Sequence, residues 1–170
     1  MNSYRPAFGQ IVLHGAVAGL IAGVVLALSE TAIAVSVLNL SWDAPLRWVA
    51  AIGVGTKALN SSYALENLVL PATLIHFALS ALYGILFLWI LSAARQLAAR
   101  TPGVLLSGVL FGLFLWVLNF LLIVPNSFYF WFADLNQFWV GFLPHALFYG
   151  LVLGAYVAVV RPGAAEEVAA

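Results

Sequence analysis

The sequence predicts an all-α fold, a single bundle of four transmembrane helices. Hydrophobic residues make up 65% of the 170-residue chain and charged residues only 7%, whereas an ordinary globular domain is about 25% charged. A soluble chain of this size could not cover its surface with so few polar side chains. The apolar residues form four stretches, each long enough to cross a hydrocarbon core of about 30 Å as a helix. They are residues 10–38, 68–92, 103–124 and 137–160.

The first stretch also has features of a signal peptide. Arg5 precedes it, and Ala32 and Ala34 form an A-x-A pair. Its apolar run is longer than the roughly 7 to 15 residues of such a segment, so we expect a retained helix.

The connection between the first two stretches, residues 39–67, is too long for a simple turn. Apolar residues such as Trp48 alternate with Arg47 and other polar residues at roughly helical spacing. That spacing predicts a helix lying at the membrane interface. Gly53 and Gly55 indicate that this helix is short.

The basic residues predict the direction in which the four helices run. One side of the bundle would carry four arginines, and the other only Arg47 and Lys57. The positive-inside rule then places both termini in the cytoplasm. The other side would also carry an aromatic belt. The four arginines are Arg5, Arg95, Arg100 and Arg161, and the belt consists of Trp42, Trp48, Tyr129, Trp131 and Trp139.

Glycines recur at every fourth position in three of the four stretches. Small residues let helix backbones approach closely in lipid, where no hydrophobic force draws helices together. We therefore expect these glycines at helix contacts, either inside the bundle or against a partner subunit. They are Gly15, Gly19 and Gly23, then Gly108 and Gly112, then Gly150 and Gly154.

The first and third stretches share a pattern that favours an internal repeat. Glu30 follows Gly23 by seven residues, and Asn119 follows Gly112 at the same spacing. We interpret this as a tandem duplication of a two-helix unit, with its halves related by an axis along the membrane normal.

The second and fourth stretches each contain a histidine followed by a Tyr-Gly pair. With neighbouring residues they form a pattern over residues 70–156: His76, Tyr83, Gly84, Gly112, Trp116, Pro125, His145, Tyr149, Gly150, Gly154 and Tyr156. This pattern resembles an uncharacterised family of small four-span bacterial inner-membrane proteins. The resemblance implies the four-helix architecture and brings no activity with it.

Four polar side chains inside the stretches are predicted to share one layer. Counting about 1.5 Å per residue places all four toward the side of the long connection. Ionisable groups in a membrane are costly and need partners, so we expect an imidazole N–H to bond to a carboxyl or amide oxygen. Two tyrosines could line the same pocket. The four are Glu30, His76, Asn119 and His145, and the tyrosines are Tyr83 and Tyr149.

The same residues leave three other interpretations open. His76 and His145 could ligate a haem b. Together with Glu30 they could hold a divalent metal ion or a quinone head group. They could also belong to a proton or substrate pathway of a transporter.

Composition excludes several classes of function. The chain has no cysteine, which excludes disulfides, thiolate metal sites and c-type haem attachment. It has no basic run, so we expect no nucleic-acid partner. It also has no nucleophile with a base and no phosphate loop, which disfavours an enzyme. We therefore expect a non-catalytic accessory or assembly subunit of a larger bacterial respiratory or photosynthetic membrane complex, without a cofactor.

Overall fold

Four helices are long and apolar enough to cross a membrane in the computed structural model, which describes residues 6–123 and 138–162. The described part is all-α, as predicted, and the described span ends lie within two residues of the predicted positions. Span 1 is α1 (Phe8–Ser36), span 2 is α3 (Glu66–Ala93), span 3 is α5 (Thr101–Trp116) with a π-helical continuation (Val117–Ile123), and span 4 is α6 (Phe138–Leu143), a π-helical segment (Pro144–Gly150) and α7 (Leu151–Val160).

The four spans have large apolar side chains on their outer surfaces as well as between the helices. Exposed examples, one from each span, are Leu13, Leu82, Leu110 and Val159. A helix that is apolar all round is typical of a lipid environment. The four spans therefore indicate a multi-pass membrane protein.

The spans pack as two helix hairpins. The first hairpin consists of α1 and α3, which lie along each other, and the second consists of spans 3 and 4. Span 4 also packs against α1, whereas α3 and α5 contact each other only sparsely. The bundle is therefore tight within each hairpin and looser on the side where α3 faces α5.

Main-chain contact at glycines holds the first hairpin together. A Cβ atom added at Gly15 would lie 2.6 Å from the Cα of Ile85, and one added at Gly84 would lie 2.7 Å from the Cα of Gly19. No side chain fits at these positions while the helices keep their spacing.

The second hairpin has the same kind of contact. A Cβ added at Gly108 would lie 3.0 Å from the Cα of Gly154, and one at Gly150 would lie 3.0 Å from the backbone nitrogen of Gly112. All seven glycines of the predicted series face a neighbouring helix within the described residues: Gly15, Gly19, Gly23, Gly108, Gly112, Gly150 and Gly154.

The two hairpins correspond in a register that differs from the sequence alignment. In each, the glycine of the Tyr-Gly pair lies against two glycines of the facing helix, Gly15 and Gly19 in the first and Gly108 and Gly112 in the second. The sequence alignment that made Gly23 equivalent to Gly112 is therefore wrong by one helical turn, since Gly19 occupies the position equivalent to Gly112. A series with a period of four residues matches itself after such a shift, so the pattern could not fix the register. The tandem duplication itself stays a hypothesis.

The connection between the first two spans contains the predicted short helix, α2 (Ala44–Val54), followed by a 3₁₀ turn (Thr56–Leu59). The helix ends at Gly55, whose φ of 82° lies in the left-handed region that glycine adopts readily. A small apolar core fixes α2 against α3. It consists of Ala50, Ala51, Ala58, Leu68 and Ala72. The position of α2 at a membrane interface stays a prediction.

Arg47 ties this connection together. Its Nε donates to Asp43 at 2.7 Å, one turn earlier in the chain. Its Nη1 lies 2.8 Å from the carbonyl oxygen of Asn60 and 3.2 Å from those of Ala58 and Tyr63. One guanidinium therefore fixes the path of the chain between α2 and α3. A short helix, α4 (Arg95–Ala98), links the second and third spans at the opposite end.

Part of the predicted aromatic belt lies outside the described residues. Trp42 is exposed and Trp48 is half-buried on the side that carries α2. Tyr129 and Trp131 lie outside the described residues, as do Arg5, Pro125 and the side chains of Arg95 and Trp139. The predicted direction of the spans stays a prediction.

The glycine contacts give a direct test. We expect Gly15→Ala to lower the free energy of unfolding by about 1–3 kcal/mol, since its new methyl group would meet the backbone of α3. Gly9→Ala is the matched control, because a Cβ at Gly9 meets nothing within 4 Å. The control should be neutral or stabilising by up to about 1 kcal/mol. Unfolding in mixed micelles measures both, and equal effects of the two substitutions would contradict the contact.

Candidate functional site

His76 of α3 bonds to the backbone of α1. Its Nε2 lies 2.9 Å from the carbonyl oxygen of Gly23. A carbonyl only accepts, so Nε2 carries the proton and Nδ1 carries a lone pair. A Cβ at Gly23 would lie 3.4 Å from this nitrogen, so the glycine leaves room for the imidazole.

His145 bonds within its own span. It is 9% exposed, and its Nδ1 lies 2.8 Å from the carbonyl oxygen of Gly141, one turn earlier. Nδ1 is therefore the donor and Nε2 carries the lone pair. Pro144, which has no N–H, begins the π-helical segment here, and the ring of Phe120 meets the imidazole edge-on at 5.6 Å.

The two histidines lie at the same level of the bundle. The hydroxyl of Tyr149 donates to the carbonyl of Ser80 at 2.6 Å, which joins span 4 to α3. These two spans run in the same direction, because both are antiparallel to α1. His76 precedes Ser80 by four residues, and His145 precedes Tyr149 by four. Both imidazoles therefore lie about one turn from this bond, toward the end of the bundle that carries α2.

Asn119 bonds to a tyrosine and not to an imidazole. Its Oδ1 accepts from the Tyr83 hydroxyl at 2.8 Å. Both residues are half-buried, and they join α3 to the π-helical continuation of span 3. The amide oxygen that we expected to accept from a histidine is thus occupied by the phenol.

Glu30 does not join this group of side chains. It is half-buried and makes no hydrogen bond or ion pair with any residue that the structure describes. It follows Gly23 by seven residues, which places it roughly 10 Å farther along α1. The expected bond between Glu30 and an imidazole is therefore wrong for both histidines. Close helix packing brings a main-chain carbonyl to His76, and that acceptor is nearer than the carboxyl.

We name the resulting group the central polar layer. Sequence reasoning missed Ser80, whose hydroxyl donates to the carbonyl of His76 at 2.7 Å. Its spacing of four from His76 on one helix was the available signal. The layer consists of His76, Ser80, Tyr83, Asn119, His145 and Tyr149.

Another hydrogen bond joins the hairpins near the opposite end of the bundle. His14 of α1 lies with its Nδ1 3.0 Å from the hydroxyl of Tyr156 in α7. Their rings are also close, with centroids 6.2 Å apart. This histidine is therefore part of the packing between the hairpins.

The layer has little catalytic or metal-binding chemistry. Among the described residues, no three or more His, Cys, Asp or Glu side chains are grouped closely enough to hold a metal ion. The Ser80 hydroxyl donates to a carbonyl instead of an imidazole, so it is not paired with a base. A haem iron would have to use Nδ1 of His76 or displace the bond from Nε2 to Gly23.

Comparison of the chain with known protein families, with curated proteins and with solved structures finds no match. The geometry of the bundle and its polar layer is therefore the basis for its proposed function.

The layer predicts a contrast between two substitutions. His145→Ala should lower the free energy of unfolding by about 2–4 kcal/mol, since it removes a buried side chain and leaves a cavity. Glu30→Gln should leave stability unchanged or raise it, because the carboxyl has no partner among the described residues. Unfolding in mixed micelles measures both. A loss of more than about 1 kcal/mol in the glutamine variant would indicate a bond to Glu30.

Proposed function

We propose that this protein is a non-catalytic accessory or assembly subunit of a larger membrane complex, respiratory or photosynthetic, in the bacterial cytoplasmic membrane. Both termini would lie in the cytoplasm. One observation carries the proposal: the imidazole and hydroxyl donors of the central polar layer are bonded to main-chain carbonyls or to an amide oxygen. Of these bonds, those of His76, Tyr83 and Tyr149 hold helices together. None of them forms an acid–base pair.

The outer surface of the spans also supports the proposal. Every span presents large apolar side chains, and α2 with its connection forms a folded cap held by Arg47. Other membrane subunits could pack against these faces without any change in the bundle.

The test is the state of the protein in native membranes. We expect gently solubilised protein to migrate in an assembly larger than its own dimer and to retain a second membrane protein in fixed stoichiometry. Native electrophoresis with mass spectrometry measures both. The Gly15→Ala variant, whose bundle is expected to be less stable, provides a control. Partners held by the folded surface should be lost when this variant unfolds. A stable monomer or homodimer without a stoichiometric partner would contradict the proposal.

A second candidate is a haem- or metal-binding membrane protein, with a site formed by His76 and His145. The observation in its favour is that both imidazoles lie at one level and each uses only one nitrogen for the bonds described above. Glu30 would contribute little, because it lies outside the layer. For the same reason a transport pathway through Glu30 has less support.

Absorbance spectroscopy and metal analysis test the second candidate. Protein purified from its native membrane should show a Soret band or a bound metal that His76→Ala and His145→Ala each remove. His14→Ala is the matched control, since His14 bonds to Tyr156 outside the layer. Colourless, metal-free protein would overturn this candidate.

A further inference from the structure

Tyrosine hydroxyls make the side-chain hydrogen bonds that join the two hairpins. Within residues 6–123 and 138–162, each of the three such bonds has a tyrosine on one side. The two in the central polar layer use Tyr83 and Tyr149, and the third uses Tyr156. Buried side chains of both hairpins also pack together in one apolar core.

These bonds contrast with the contacts inside each hairpin. There the main chains touch at glycines along several turns, so the two helices of a hairpin cannot separate without losing close packing along their length. Between α3 and span 3 the contact is sparse. It includes the bond from Tyr83 to Asn119 and the ring pair of Phe87 and Phe111, whose centroids are 5.3 Å apart.

We propose that the hairpins are two rigid bodies and that the α3–span 3 seam opens laterally toward the lipid. The Tyr83 hydroxyl holds this seam closed directly, and the Tyr149 hydroxyl holds α3 against the neighbouring span 4. The seam is the face where Tyr83 and Phe87 meet Asn119 and Phe111. This inference does not depend on the proposed subunit function.

The π-helical segments near the seam agree with the proposed opening. Both π-helical segments of the described residues belong to the second hairpin. One of them carries Asn119, and the other carries His145 and Tyr149. Segments of this kind occur frequently at functional sites within otherwise α-helical spans. The first hairpin is α-helical through both of its spans. The irregular turns therefore lie on the second hairpin, next to the bonds that would break.

Opening of the seam would expose two polar groups that are now hydrogen-bonded to each other. The Tyr83 hydroxyl and the Asn119 amide would face hydrocarbon, where an unpaired polar group is costly. The closed state is therefore favoured in lipid alone. A molecule or helix that offers a hydrogen-bond partner at this depth would favour the open state.

Distance measurements by electron paramagnetic resonance in nanodiscs test the lateral opening of the α3–span 3 seam. The chain has no cysteine, so spin labels can be placed in pairs without removing native thiols. Labels at Leu82 and Leu110 report across the seam, and labels at Leu13 and Leu82 report within the first hairpin. All three positions are exposed. Circular dichroism checks that each labelled protein keeps its helices.

The variant combines Tyr83→Phe with Tyr149→Phe, which removes two hydroxyls and keeps the rings. We expect the Leu82–Leu110 distribution to broaden and gain a longer-distance component, while the Leu13–Leu82 distribution stays unchanged. Tyr63→Phe is the control, since Tyr63 lies in the connection beside Lys57 and not at the seam. An unchanged seam distance would overturn the proposal. Equal broadening of both pairs would overturn it as well, because the hairpins would not be rigid.

Discussion

Close main-chain contact at glycines is the constraint on which the rest of the bundle depends. Lipid supplies no hydrophobic force between helices, so their association depends on packing and on hydrogen bonds. Glycine makes the packing tight enough for a side chain on one helix to reach a carbonyl of the next. The Gly23 carbonyl accepts from His76 in this way, and Ser80, whose carbonyl accepts from Tyr149, lies against Gly19. The bonds of His76 and Tyr149 in the polar layer thus depend on the glycine contacts.

In the connection that carries α2, one side chain satisfies several main-chain carbonyls. A chain segment outside the spans leaves carbonyls without helical partners, and water or side chains must satisfy them. Here Arg47 donates to three such carbonyls and is itself fixed by Asp43. A planar guanidinium with several donors suits this role better than the single ammonium of a lysine. The result is a folded cap packed on the first turns of α3.

The spans and the glycine positions could be predicted from the sequence because both signals are local. Hydropathy over about 20 residues identifies a span, and a small residue is recognisable by itself. The hydrogen-bond partners could not be predicted. Every residue has a carbonyl, so the sequence does not distinguish Gly23 or Gly141 as an acceptor. A polar side chain such as Glu30 in an apolar span is easily chosen as the partner of a histidine. The position of Glu30 along α1 does not allow that bond.

The polar layer belongs to the junction of the two hairpins more than to either one. Tyr83 and Tyr149 extend from spans 2 and 4 to acceptors in the other hairpin, whereas His145 stays bonded within its own span. A ligand or partner that engaged this layer would therefore compete with the bonds that join the hairpins. Binding there and a change in the packing of the bundle would be one event. A subunit could use this coupling to transmit the binding of a partner to the bundle, and a binding protein could use it to admit a ligand between the hairpins.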